Sequence, residues 1–225
     1  MNSDIHSSIE AIHNADAILI GASNGLSIAE GYHIFANNKM FHQQFGDFEE
    51  RFGIKNVIEG CFFRYPDNRD REIFLQRLTK YWIDDYTPSE VMKDLLAIIG
   101  QKDYFVLTSN ADLHLEIAGF NPSKVFEIEG TFRDICLNLP IDDKRERLNS
   151  FLERYHDKKL IILELGIGIR NRLIKLPLMQ LALRETNATY ITLNLSHEIY
   201  VPDEIAHKSI ALPGDIANTL KELRR

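Results

Sequence analysis

The chain is poor in sulfur. Its 225 residues hold two cysteines, Cys61 and Cys136. So sparse a pair makes no disulfide framework and rules out a four-cysteine zinc site. Eight histidines leave a mixed cysteine–histidine site open by count. No C-x-x-C or H-x-x-x-H spacing supports one, so no metal is expected. Long apolar runs are also lacking: nothing approaches the roughly 20 residues of a membrane span. The opening Met1-Asn2-Ser3-Asp4 has no basic residue and leads into no apolar stretch of signal length, which points to the cytoplasm and away from a membrane. Basic residues are in deficit, 26 against 33 acidic, for a net charge of -7. An acidic surface repels phosphate backbones, so nucleic acid is not expected as a partner. A local pocket for a small phosphate ligand stays open.

What is present is an ordinary globular composition, 44% hydrophobic and 26% charged. At roughly 150 residues per domain, the length suits one large domain or one domain with a small insert. Four apolar runs read as buried parallel strands: Ala17-Ile18-Leu19-Ile20, Tyr104-Phe105-Val106-Leu107, Leu160-Ile161-Ile162-Leu163 and Thr189-Tyr190-Ile191-Thr192-Leu193. They are continuous rather than alternating, as suits strands covered on both faces. Each leads through a polar or glycine-containing turn into a helical pattern. Repeated strand–turn–helix units predict a Rossmann-like, doubly wound α/β sheet that binds ligands outside the carboxyl ends of its strands.

Residues 89–99 place Val91, Leu95, Ile98 and Ile99 on one helical face, with Thr87 as the expected N-cap, Pro88 first and Glu90 completing a capping box. Helices are also expected over 70–82, 145–155 and 215–225, the last after a strand end at Ala211 and a Pro-Gly turn. Residues 32–86 are aromatic-rich, helical in pattern and too long for a simple crossover. They read as a small helical insert, or lid, over the cleft.

Five segments sit where chemistry is expected. Gly21-Ala22-Ser23-Asn24-Gly25-Leu26-Ser27 follows a strand and opens a helix, a setting that lets a backbone approach a pyrophosphate. It is neither G-x-G-x-x-G nor a Walker loop, and a tight turn without a ligand would look the same. Thr108-Ser109-Asn110-Ala111-Asp112 ends the second strand; its Asn and Asp could equally cap the next helix. Glu127 and Glu129 would share one face of a strand, as a solvated edge or as a site. Glu164-Leu165-Gly166-Ile167-Gly168-Ile169-Arg170-Asn171 and Leu193-Asn194-Leu195 end two more strands, and each alone is ordinary.

Taken in order, these segments resemble the sirtuin family. The usual sirtuin order is G-A-G-x-S, T-Q-N-x-D, H-G, a zinc module, G-[TS]-S, and a strand ending in I-N. The chain has Gly21-Ala22-Ser23 with Ser27, Thr108-Ser109-Asn110-Ala111-Asp112, Glu129-Gly130, Gly166-Ile167-Gly168 and Leu193-Asn194. The likeness spans nearly all of residues 1–225 as one NAD-binding domain. It is greatest to the macrodomain-linked (class M) microbial sirtuins, through Asp103–Thr108, Leu163–Gly166 with Ile174–Pro177, and Asn187–Tyr190 with Leu193-Asn194. Three departures stand out. Glu129 occupies the place of the catalytic histidine, where class M proteins have Gln. Only Arg133–Lys144 stands where a zinc module would be. The Phe-Arg of the sirtuin cofactor loop finds no match near Tyr32–Phe41.

The resemblance implies NAD as cofactor, a protein acceptor of unknown identity, and loss of nicotinamide through an oxocarbenium-like ribose. It assigns Asn110, Asp112 and Glu129 to catalysis. It assigns Gly21, Ala22, Ser23, Leu26, Ser27, Asn110, Asp112, Gly166, Ile167, Gly168, Asn194, Asp215 and Ile216 to NAD; for Asp215, a plain helix N-cap is the competing role. Glu129 is expected to face the cleft rather than solvent. A carboxylate there stabilises positive charge but is a poor general base at neutral pH unless buried. The expected activity is therefore ADP-ribosyl transfer, or NAD hydrolysis, over efficient deacylation. The alternatives are a non-catalytic NAD or ADP-ribose binder, and a deacylase that uses Glu129.

Overall fold

Six parallel strands form one sheet: β1 Ala17–Ala22, β2 Asp103–Thr108, β3 Val125–Glu127, β4 Leu160–Leu165, β5 Thr189–Asn194 and β6 Ser209–Pro213. The computed structural model describes residues 3–225. Met1 and Asn2, half of the segment read above for a leader, lie outside the described residues. Among the described residues no helix is long and apolar enough to cross a membrane.

The strand order is β3-β2-β1-β4-β5-β6. The chain winds one way from β1 to β3 and the other way from β4 to β6, so the order reverses between β1 and β4. In such sheets the ligand crevice lies outside the strand ends at that reversal. The register brings the crevice residues level: Ala22 is paired with Thr108 of β2 and with Leu165 of β4. Every residue of β1 and of β4 is buried, which is why their sequences are apolar without alternation. Successive residues still face opposite layers. Ile18, Ile20 and Ala22 join the core on one side, and Ala17 and Leu19 the core on the other.

The four expected strands are all present. The two at the sheet edges are less legible: β3 has three residues, and β6 is largely half-buried. The helix Ser3–His13, which carries Ile5 and Ile12 into the core, has no counterpart in the sequence reading. The helix Glu90–Ile99 is capped by Ser89, whose hydroxyl accepts from the Met92 N–H, and not by Thr87. Ser89 wins because the same hydroxyl donates to Glu30 at 2.6 Å. The expected 70–82 helix runs Asn68–Thr79 and continues as a π-helical turn, Lys80–Asp84.

Residues 32–86 hold the helices Lys39–Phe52, Val57–Phe62 and Asn68–Thr79 and no strand. They pack around their own aromatic core of Phe41, Phe45, Phe48, Phe74 and Trp82. Phe132, from the helix Phe132–Leu137, closes this core against the sheet domain.

Candidate active site

Two cavities run along the carboxyl ends of the strands. One, of about 480 Å³, is bordered by Ser23, Gly25, Gly166, Gly168, Asn194 and Asp215. The other, of about 220 Å³, lies under the helical segment and is bordered by Ser27, Tyr32, Trp82, Asn110, Asp112 and Glu129. Asn24, Phe35 and Asn171 border both, so the two form one cleft.

The floor between them is set by a backbone crossing. The Gly25 N–H donates to the Gly166 carbonyl at 3.0 Å. A Cβ on Gly25 would lie 2.4 Å from the Gly166 Cα, and Gly166 has φ +61. Both glycines are therefore required by each other, and no ligand is needed to explain them. Over this crossing Ser109 donates to the Ser23 hydroxyl at 3.0 Å, and the Asn171 amide donates to both serines at 3.2 Å. The turns after β1, β2 and β4 are thus joined by side chains where the cavities meet.

Asn110 is buried. Its amide donates to the Ser23 carbonyl at 3.2 Å, while its Oδ1 has no hydrogen-bond partner among the described residues. Asp112 accepts from the Ser27 hydroxyl at 2.5 Å through Oδ2 and from the His114 N–H at 3.2 Å through Oδ1. That second bond spans Leu113, which has φ +60, a strained value for a bulky residue. Backbone strain of this kind concentrates at functional sites.

Behind Asp112 lies a buried network. Glu30 accepts hydroxyl bonds from Tyr86 and Ser89, each at 2.6 Å. The His114 Nδ1 lies 3.1 Å from Glu30 Oε2, and its Nε2 lies 2.8 Å from the Trp82 carbonyl. Burial alone would push the His114 pKa down. The Glu30 hydrogen bond, the charges of Asp112 and Glu30, and the Trp82 carbonyl together hold it above its ordinary value.

Ten of the expected residues border the cleft: Ser23, Ser27, Asn110, Asp112, Glu129, Gly166, Gly168, Asn194, Asp215 and Ile216. Four do not. Gly21 lies within β1, where a Cβ would meet Leu178 at 2.2 Å, so this glycine seats the helix Lys175–Arg184. Ala22 and Leu26 are fully buried in the core. Ile167 is buried on the opposite face; its carbonyl accepts from Asn194 at 3.0 Å and from Lys175 at 3.3 Å. Asp215 borders the cleft and also caps the helix Ile216–Leu223, accepting from the Asn218 N–H at 2.8 Å.

Glu129 borders the cavity but is solvent-exposed, contrary to the expectation that it faces the cleft instead of solvent. The strand ends at Glu127, and the Gly130 N–H closes a turn back to the Glu127 carbonyl at 2.9 Å. That turn parts the two carboxylates. Glu127 is buried against Lys144 at 3.2 Å, away from this cleft. Asn171, the last residue of the segment that follows β4, was given no role from the sequence and borders both cavities. Tyr32, Phe35 and Glu198 also border the cleft and were not assigned to it.

No family model matches the chain. A protein of Staphylococcus aureus called a protein ADP-ribosyltransferase is 24% identical over 266 aligned positions, covering 93% of this chain and 84% of that protein. A solved structure from work on the mechanism and regulation of Sir2 enzymes matches with a TM-score of 0.59 at 14% identity, over 100% of this chain and 99% of that one. The chain therefore has a Sir2-like fold.

Proposed function

We propose that the chain is an NAD-dependent ADP-ribosyltransferase of the sirtuin type, acting on a protein acceptor in the cytoplasm. The observation that carries this reading is the Asn110 Oδ1. It is a buried acceptor without a partner, in the same cavity as the Asp112 carboxylate. Buried acceptors are rarely left unmatched, so a ligand donor fits there. The relative named as a protein ADP-ribosyltransferase supports the same reaction. Within the sirtuin type, the sequence blocks quoted above favour the class M branch. A zinc module is not part of the reading, because the chain has two cysteines in all and Arg133–Lys144 contains only one of them.

The residues present fit NAD. Asn194 and Asp215, at the ends of β5 and β6, would hold the adenosine half, and Ser23 and the Gly25–Gly166 crossing the middle. NAD supplies an ADP-ribosyl group when its bond to nicotinamide breaks. Asn110 Oδ1 would accept from a ribose hydroxyl or a positioned water, and Asp112 from the carboxamide NH2. Glu129, at the cavity mouth, would stabilise positive charge at the sugar. An exposed carboxylate is a poor general base at neutral pH, which favours transfer over deacylation.

The test is incubation with labelled NAD, following nicotinamide release and label on protein together. Asn110→Ala should cut release roughly 100- to 1,000-fold, the scale of losing one preorganised polar group. Release at the parent rate by Asn110→Ala would reject the role of Asn110; in the parent, release without label on protein, or binding of NAD without any release, would reject the transferase.

A further inference from the structure

The buried network behind Asp112 does more than fill space. The helical segment 32–86 enters the fold just after Glu30 and leaves it through Trp82, Tyr86 and Ser89. All four of these residues converge on His114, directly or through Glu30. The geometry restricts the protons. A carbonyl only accepts, so the Nε2 facing Trp82 carries hydrogen. Glu30 already receives two hydroxyl hydrogens on Oε1, and the 3.1 Å contact between its Oε2 and Nδ1 requires one more hydrogen, which we place on the ring.

We infer that His114 is a positioning residue: its ring, with both nitrogens protonated, clasps the entry and exit of the helical segment to the Asp112 turn beneath the cleft. The role assigned to Asp112 rests on the proposed function; the clasp itself does not.

The surroundings favour that state from every side. Glu30 lies beyond the end of the helix Asn24–Ala29, and Asp112 Oδ2 is 3.8 Å from Nδ1. The Tyr86 ring stacks on the imidazole with centroids 3.7 Å apart and an angle of 5°. The Tyr32 ring meets it edge-on at 4.6 Å. A cation gains from an aromatic face. Burial pushes both tyrosine hydroxyls up, so they stay neutral beside the carboxylates. Loss of the proton would leave the Nδ1 lone pair facing Glu30 and remove one tie between the segment and the floor. The clasp is therefore closed at low pH and opens as pH rises through the raised His114 pKa.

The test uses the full chain with 15N-labelled histidine. At neutral pH the His114 ring nitrogens should both show imidazolium shifts; a neutral single tautomer would overturn the clasp. Protection of the amides of residues 80–89, taken relative to the intrinsic exchange rate at each pH, should fall in a step as the ring loses its proton. His114→Gln keeps one donor, and it should remove that pH step and raise exchange at low pH roughly tenfold, the scale of one charged hydrogen bond. Retention of the parent's step in His114→Gln would also overturn it. If that variant does not fold, the ring shifts of the parent still decide. The nitrogen spectrum needs no NAD. An imidazolium in a protein that binds no NAD would sink the functional reading and leave the clasp standing.

Discussion

Two buried carboxylates in this molecule have nearly the same partners and different behaviour. Glu164, in β4, accepts from the Tyr190 and Thr192 hydroxyls and from the Lys175 ammonium at 2.5 Å. Glu30 accepts from the Tyr86 and Ser89 hydroxyls and faces the His114 imidazole. Each has one tyrosine, one aliphatic hydroxyl and one basic side chain. They differ in the basic group and in what it ties down. Lys175 binds a strand to the helix that follows it and also reaches the Ile167 carbonyl. His114 binds an insert to a turn. An imidazole is the side chain that changes charge near neutrality, and an ammonium is not. The first cluster is a permanent part of the sheet domain, and the second responds to pH.

The comparison breaks most sharply at Lys175. Lys175→Met leaves Glu164 fully buried with two hydroxyls and no cation. Stranding one member of a buried pair costs about 3–5 kcal/mol. The expected result is a urea midpoint shifted by that amount with an unchanged slope. A loss below about 1 kcal/mol would mean that the hydroxyls alone satisfy Glu164. The double variant Glu164→Gln/Lys175→Met should recover most of the loss, because it removes the stranded charge as well.

His114→Gln should cost less, about 1.5–3 kcal/mol at pH 6, the range for a hydrogen bond to a charged group. The sign of the pH dependence follows from the direction of the shift. The folded pKa lies above the unfolded value of 6.5. The stabilisation is therefore complete below about pH 6.5 and is lost as pH rises through the folded pKa. The gap between parent and His114→Gln should close over that window, and that between parent and Lys175→Met should not. Denaturant melts at three pH values distinguish the two; parallel curves for both variants would erase the contrast.

These clusters also show where a sequence stops being legible. β1, β2, β4 and β5 could be read because strands covered on both faces leave continuous apolar runs. β3 and β6 lie at edges, are short or half-exposed, and leave little trace. The turn residues Asn110, Asp112 and Asn194 were legible as polar side chains at strand ends. The glycines were seen but misread in part. Gly21 looked like room for a phosphate, whereas it admits Leu178; Gly25 does border the cleft, but its missing side chain is already explained by Gly166. Ala22 and Leu26 followed them into the expected site but belong to the core. A glutamate at Ala22 would be buried among apolar side chains and would test folding, not phosphate binding. The Glu30–His114 pair joins residues 84 positions apart. No local pattern encodes such a contact.

A third carboxylate, Asp215, completes the scale, and it is exposed. Among the described residues its side chain has no cation and no buried hydroxyl, only the Asn218 N–H of the helix it caps. The two buried clusters hold elements together, whereas this group ends one. Replacing an N-cap aspartate by alanine costs about 1 kcal/mol. Asp215→Ala should therefore lower the urea midpoint less than either variant above, with no pH step near neutrality. The same side chain borders the cleft's cavity of about 480 Å³, where the proposed function places adenosine. If Asp215 also holds that half of NAD, calorimetry should show roughly tenfold weaker binding, the scale of one charge-assisted hydrogen bond. A stability loss with unchanged NAD affinity would make it a cap alone. The adenosine end would then depend on Asn194, whose amide already reaches the Ile167 carbonyl.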